Sequence, residues 1–201
     1  MEQSNLEELA GVTLTPYIQK AAALIGVPRR IGGNQFRHMM ATLGILVDYK
    51  IIDSVILKTS VIHDLLENIP ETDQQIILNA DTDSSEVLTI VKELTQHPNE
   101  SKAEYLSRIR DHASYKSKII KIADRISNLT DINTDTFDYD FISRYIEETE
   151  EYILPIAKEI NENMYKELSD LIARKKKLIT NLRQMRSILK KLFNKNHKHH
   201  K

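Results

Sequence analysis

The sequence predicts an all-α fold, a helical bundle with a basic helical extension at its C-terminal end. Only five glycines and five prolines interrupt the 201 residues, and apolar residues recur at the helical period over long stretches. A hydrophobic content of 41% is enough to bury one core of ordinary domain size. We therefore expect one domain over residues 1–162, followed by a basic amphipathic helix and a His/Lys-rich tail over residues 163–201.

The predicted helices follow one another through short connections. The first covers residues 14–26 and ends at Gly26 and Pro28, because proline disfavours helical geometry in the residue before it. The loop PRRIGGNQ comes next, and its two adjacent glycines make it deformable. Further apolar periodicity predicts helices at 35–49, 53–67, 73–80, 84–95, 101–112, 115–131, 138–162 and 164–192.

Composition excludes several classes of protein. The chain shows no N-terminal signal sequence and no run of about 18 apolar residues, so secretion and membrane spanning are not expected. Because it has no cysteine, disulfides, iron–sulfur clusters and thiolate zinc sites are excluded. We expect a cytoplasmic protein.

Charge is distributed unevenly along the chain. Residues 174–201 hold eleven Lys/Arg and no Asp/Glu, so the first 173 residues hold seventeen positive and all 29 negative residues, a net charge of −12. A polyanionic substrate would need a metal ion and a local cluster of cations to overcome the repulsion of this acidic part.

Two histidines and two carboxylates occur in an order that suits a divalent metal. His38 stands in QFRHMMATLG, the pair His63 and Asp64 follows after 25 residues in VIHDLLEN, and Asp124 comes 61 residues after His63 in KIIKIADRISN. The last two segments are otherwise apolar, and charged groups are rarely buried there unless they are paired or bound to metal. Imidazoles and carboxylates favour Mn2+ or Fe2+, whose open positions leave room for a water that attacks phosphorus.

Glu67 is the candidate proton acceptor for that water. It follows His63 by four residues and Asp64 by three, so one continuous helix would place it on the ligand-bearing face. The alternative is a surface helix acid.

Further polar residues are candidates for contact with substrate. Lys121 precedes Asp124 by three residues and Asn128 follows it by four, so both should lie beside that ligand. A solvated lysine is the alternative for Lys121. Arg29 and Arg30 in the deformable loop suit bidentate binding of phosphate, although a solvated pair is also compatible with their position.

These segments resemble the hydrolase domain of RelA/SpoT-type proteins, a branch of the HD metal-dependent phosphohydrolases. RRIGGNQFRH resembles the basic pair and Gly before the first metal-binding His, and HDLLEN resembles His-Asp-x-x-Glu-Asp. KIADRISNL resembles Lys-Leu-Ala-Asp-Arg-Leu-His-Asn-Met, and YIEETEEYILPIAKEI resembles Glu-Thr-x-x-x-Tyr-x-Pro-Leu-Ala. The motifs span about residues 29–160, and the roughly 40 residues that remain cannot hold the family's synthetase domain.

The resemblance implies a small, hydrolase-only HD domain that uses Mn2+ to remove the 3′-pyrophosphate of guanosine tetra- or pentaphosphate (ppGpp or pppGpp). It implies the metal ligands His38, His63, Asp64 and Asp124, the water-activating or water-orienting Glu67, and the nucleotide contacts Arg29, Arg30 and Asn128.

Three positions depart from the family's pattern. Asn68 stands where the family has its second catalytic acid, and an amide can orient water but cannot take up a proton. Asp131 replaces a small hydroxyl residue and Ser127 replaces a histidine. These departures bear on rate and substrate identity more than on the fold.

The C-terminal helix has three alternative roles. It could lie on an anionic membrane, contact nucleic acid, or pack on the domain with its charges in water. Its tail histidines, His197, His199 and His200, could bind metal adventitiously or belong to a solvated tail or an expression remnant. The apolar positions that alternate with its basic residues are Leu178, Leu182, Met185, Leu189 and Leu192.

Three functions are compatible with the sequence. The first is hydrolysis of the guanosine alarmone, and the second is HD-type hydrolysis of another nucleotide, such as an adenosine alarmone or a 5′-nucleotide. The third is a degraded HD module that binds nucleotide or metal without turnover, for which Asn68 is the main support. A homo-oligomer is compatible with each of them.

Overall fold

The computed structural model describes residues 3–196, with side chains up to Met185 and that of Ile188, so the predicted roles of His197, His199 and His200 lie outside the described residues. Within this range the chain is helical and contains no strand. The helices are α1 (Gln3–Gly11), α2 (Thr15–Ala21), α3 (Gln35–Asp48), α4 (Ser54–Ile62), α5 (Leu65–Asn68), α6 (Gln75–Leu78), α7 (Ser84–Leu94), α8 (Lys102–His112), α9 (Tyr115–Asp131), α10 (Tyr139–Glu148), α11 (Leu154–Ile160) and α12 (Glu162–Asn196). The predicted all-α fold is confirmed.

Several helix boundaries differ from the prediction. Helix α1 was not predicted, and none of its residues is buried. The predicted first helix ends as a 3₁₀ turn at Ala22–Gly26, and the predicted helix 138–162 is interrupted by a π turn at Thr149–Ile153 just before Pro155. A proline has no N–H to donate within a helix, so α11 begins anew around it.

Side-chain caps set the start of the three helices that carry the candidate site. Asn34 accepts a hydrogen bond from the backbone N–H of Arg37 at the start of α3, and Asp53 accepts one from Ile56 at the start of α4. Ser114 accepts one from Ser117 at the start of α9. These caps satisfy N–H groups that have no partner inside the helix, and they hold the helix ends in place.

Helix α4 forms the centre of the bundle. All its residues from Val55 to Ile62 are buried, and it packs against α2, α3, α7 and α9. Its one charged residue, Lys58, donates to Asp83 and lies 2.7 Å from Asp81, and Asp81 also accepts from Tyr17. This paired lysine joins α4 to α2 and to the loop before α7.

The first half of α12 belongs to the core. Met164, Leu168, Ile172 and Ile179 are buried, and the helix packs on α9, α10 and α11. Lys176 adds an exposed ion pair with Glu150. Packing on the domain, one of the three predicted roles of the C-terminal helix, is therefore observed for this part. Among the described residues, no helix has both the length and the apolar character needed to cross a bilayer.

Two methionines of α12 provide a matched test of this packing. Met164 is fully buried, whereas 55% of Met185 is exposed. We expect Met164→Ala to lower the free energy of unfolding by about 2–5 kcal/mol, because the deletion leaves a cavity in the core. Met185→Ala should change it by less than about 0.5 kcal/mol. Urea denaturation of both variants measures the difference, and equal effects would contradict this packing.

Candidate metal centre

Three helices bring two histidines and one carboxylate into a buried cluster. His38 lies in the first turn of α3, His63 directly follows α4, and Asp124 lies in the middle of α9. One ligand atom of each side chain lies within 4.8 Å of the others, and all three residues are buried. Three of the four predicted ligands therefore form a possible metal-binding site.

His63 presents a free nitrogen to this cluster. Its Nδ1 lies 2.8 Å from the carbonyl oxygen of Ser60, which fixes the ring so that Nε2 faces Asp64 and Asp124. Nε2 is buried and has no hydrogen-bond partner, and such an orphaned atom is costly unless an ion satisfies it. Burial lowers the pKa of His63, but the negative charges of Asp64 and Asp124 outweigh it and raise the pKa to about 9. The surroundings therefore favour a positive charge at Nε2, as a divalent metal would supply.

His38 is held on both sides of its ring. Its Nε2 lies 3.0 Å from Oδ1 of Asp124, and its Nδ1 lies 3.0 Å from the hydroxyl of Ser127. Ser127 stands where the family that the sequence resembles has a histidine, and sequence reasoning did not give it this role. Its spacing of three residues from Asp124 in α9 is the signal that places both on one helix face.

Asp64 lies at the more exposed side of the cluster. Its Oδ1 is 3.4 Å from Nε2 of His63, and its Oδ2 is 3.9 Å from Nε2 of His38. Its role as a fourth ligand stays a prediction. The predicted continuous helix over 53–67 is wrong, because the chain leaves helical geometry at Asp64, where ψ is 6°. The side chains of successive residues in a helix point about 100° apart. The break at Asp64 therefore helps His63 and Asp64 to face the same cluster.

Asp124 is charged and firmly held. Lys121 lies 2.8 Å from its Oδ2, and Asn128 donates to its Oδ1 at 2.6 Å. Burial alone would raise the pKa of Asp124, but the ammonium of Lys121 holds it well below its usual range. Burial alone would lower the pKa of Lys121, but the negative charge of Asp124 outweighs this effect and raises the pKa well above its usual value. Lys121 is 8% exposed, so the alternative of a solvated lysine is wrong.

A cavity of about 240 Å³ opens beside the cluster. Its apolar side includes two rings, Phe137 and Phe141, stacked 4.7 Å apart between their centroids. Charged and polar residues form the rest of the wall, namely Arg29, Gln35, His38, Asp64, Glu67, Lys102, Lys121, Asp124, Arg125, Asn128 and Asp131.

Two cations of this wall were missed by sequence reasoning. Arg125 is almost fully buried, and its guanidinium stacks on the ring of Tyr145 at 4.0 Å. Lys102 begins α8 and is exposed, and partial desolvation together with the charge of Lys121 lowers its pKa. The position of Arg125 next to Asp124 was an available signal, whereas nothing local distinguishes Lys102 from a surface lysine.

Glu67 and Asn68 have different surroundings. Glu67 is an exposed residue that lines the cavity, where partial desolvation and the charge of Asp64 raise its pKa against the opposing charge of Lys121. Both ends of the Asn68 amide are engaged: Nδ2 donates to the Asp64 carbonyl at 2.9 Å, and Oδ1 accepts from Gln35 at 3.3 Å. Asn68 is not part of the cavity wall, so its contacts position α5 against α3.

The two arginines of the glycine loop also differ. Arg29 lines the cavity and is paired, with Nη1 2.6 Å from Asp131 and Nη2 donating to Asn128 at 2.8 Å. The negative charge that Asp131 adds is therefore balanced in this structure. Arg30 is exposed, lies over the ring of Phe137 at 4.7 Å, and is not part of the cavity wall.

Comparison with solved structures shows where this fold occurs. The chain is similar to the structure of a metazoan ortholog of SpoT that hydrolyses ppGpp, with a TM-score of 0.69 and 19% sequence identity over 81% of this chain and 94% of that one. No protein-family model and no curated protein sequence matches the chain. At this identity the likeness shows a shared fold, and the predicted all-α helical bundle is confirmed.

Proposed function

We propose that this protein is a metal-dependent phosphohydrolase that removes the 3′-pyrophosphate of ppGpp and pppGpp with Mn2+. The orphaned Nε2 of His63 carries the proposal, because it faces His38 and Asp124 inside a buried cluster. A mixed set of imidazole and carboxylate donors suits Mn2+, with Fe2+ or another divalent ion as the alternative.

The ligand set is proposed to be His38, His63, Asp64 and Asp124. A divalent ion held there would supply Lewis acidity and lower the pKa of a water molecule. Glu67 would accept a proton from the attacking water, since its carboxylate lines the same cavity.

The cationic wall would bind the phosphates of the substrate. Arg29, Lys102, Lys121 and Arg125 all line the cavity and equal in number the four acids of its wall, so a bound divalent ion would give the cavity the net positive charge that attracts a phosphate. Asn128 bridges Arg29 and Asp124 by hydrogen bonds and so connects the phosphate-binding wall to the ligand set. We keep Arg30 as a contact at the rim, where its guanidinium is exposed.

A panel of nucleotides tests the substrate. The full chain is loaded with Mn2+ and incubated with ppGpp, with its adenosine counterpart and with 5′-nucleotides, and the products are separated by chromatography. We expect GDP and pyrophosphate as the products from ppGpp. Faster turnover of another nucleotide would favour the second candidate. No turnover of any nucleotide would favour the binding module.

Arg29→Ala tests phosphate binding. We expect KM to rise more than kcat falls, with a loss of about 1.5–3 kcal/mol in kcat/KM, because a charge-assisted contact disappears and Asp131 is left without its partner. Arg37→Ala is the matched control, since Arg37 is exposed and does not line the cavity. Unchanged kinetics in Arg29→Ala would remove Arg29 from the substrate-binding set.

A further inference from the structure

Helix α12 carries an exposed apolar stripe beyond the part that packs in the core. Leu178 is 39% exposed, Met185 55% and Ile188 59%, and Leu182 is half-buried. Spacings of three, four and seven residues place these side chains on one side of a helix. Large aliphatic residues grouped in this way at a surface mark a binding face more often than isolated ones do.

The body holds α12 by a different face. Ile172 and Ile179 are buried against the bundle, and Ile179 follows Leu178 by one residue, which is about 100° around the helix. Arg183 lies 3.6 Å from Asp140 and donates to Ser143, both on α10. With the helix docked through these residues, the stripe from Leu178 to Ile188 stays turned to solvent.

Charge indicates what this stripe contacts. Residues 174–201 carry eleven Lys/Arg and no Asp/Glu, while the rest of the chain has a net charge of −12. An anionic surface therefore attracts this helix and repels the body. A second copy of the same helix would bring two strongly positive segments together, which is unfavourable.

We propose that α12 binds an anionic lipid surface, with the stripe inserted among the lipids and the basic residues on the headgroups. A helix with a bulky aliphatic side and a Lys/Arg-rich polar side has this property. Nucleic acid would engage the charges but would leave Leu178, Met185 and Ile188 in water. The combination of an exposed aliphatic stripe with a strongly positive net charge on the same segment favours lipid.

Vesicle sedimentation tests this proposal on the full chain. The vesicles contain either equal parts of phosphatidylglycerol and phosphatidylcholine or phosphatidylcholine alone. We expect binding to the anionic vesicles only, and weaker binding at about 0.5 M NaCl, where exposed charges are screened. The double variant Met185→Ser/Ile188→Ser should partition roughly tenfold more weakly, because it removes apolar surface without changing charge.

A matched control removes equally exposed apolar residues from the body. Ile25 is 55% exposed and Ile76 46%, so Ile25→Ser/Ile76→Ser should bind vesicles like the unmodified protein. Circular dichroism verifies that both double variants keep their helix content. Equal binding by the two double variants would overturn the proposal. Binding to the vesicles made of phosphatidylcholine alone would also overturn it. The same holds for a protein that binds a DNA duplex but does not bind anionic vesicles.

Discussion

Replacing either residue of the His63-Asp64 pair with alanine is expected to abolish both bound metal and hydrolysis. His63 contributes a buried Nε2 that has no hydrogen-bond partner, and Asp64 contributes negative charge 3.4 Å from that nitrogen. Loss of one donor leaves a divalent ion with fewer ligands and poorer charge compensation. Removal of a residue that only hydrogen-bonds to a metal ligand already lowers metal affinity by roughly 10–100-fold, so removal of a ligand itself should lower the affinity at least as much.

Elemental analysis of purified protein measures the effect, with pyrophosphate release assayed on the same samples. His112→Ala is the matched control, because His112 is exposed at the end of α8 and does not line the cavity. It should keep both metal and activity. Full Mn2+ occupancy in His63→Ala and Asp64→Ala would show that these residues do not hold the metal.

Glu67→Gln is expected to keep the metal and to lower the hydrolysis rate by roughly 10²–10⁴-fold, the usual contribution of a positioned general base. The amide has nearly the shape of the carboxylate but cannot take up a proton. Glu71→Gln is the matched control, since Glu71 is exposed and is not part of the cavity wall. Mn2+-dependent pyrophosphate release measures both variants.

Asn68→Asp separates an active enzyme from a degraded module. In an active enzyme it should change the rate only modestly, through lost hydrogen bonding to the Asp64 carbonyl and added negative charge. In a degraded module the unmodified protein is inert, and the new acid could restore turnover. An active protein that is insensitive to Glu67→Gln would show that the base is another residue.

Much of the candidate site follows from the cost of burying charge. His63 and Asp124 stand in apolar segments, so the sequence required partners for them, and the structure places them together with His38. Helix α9 was predicted at its observed bounds of Tyr115–Asp131 from its apolar periodicity. In the structure Ser114 caps its first turn.

Other features depend on contacts that no local pattern encodes. Arg29 and Asp131 are 102 residues apart in the chain, and Lys102 reaches the cavity from the start of α8. The break after α4 puts His63 and Asp64 toward the same centre, yet the local sequence is compatible with a continuous helix. Tertiary packing decides in such places, and it overrides the helical preference of the segment.

The decisive measurement is the release of pyrophosphate from ppGpp by the full chain, with and without Mn2+. We expect pyrophosphate release with Mn2+, arrest after chelation and recovery when Mn2+ is restored. Release that continues unchanged after chelation, or none from protein shown by elemental analysis to hold Mn2+, would contradict it.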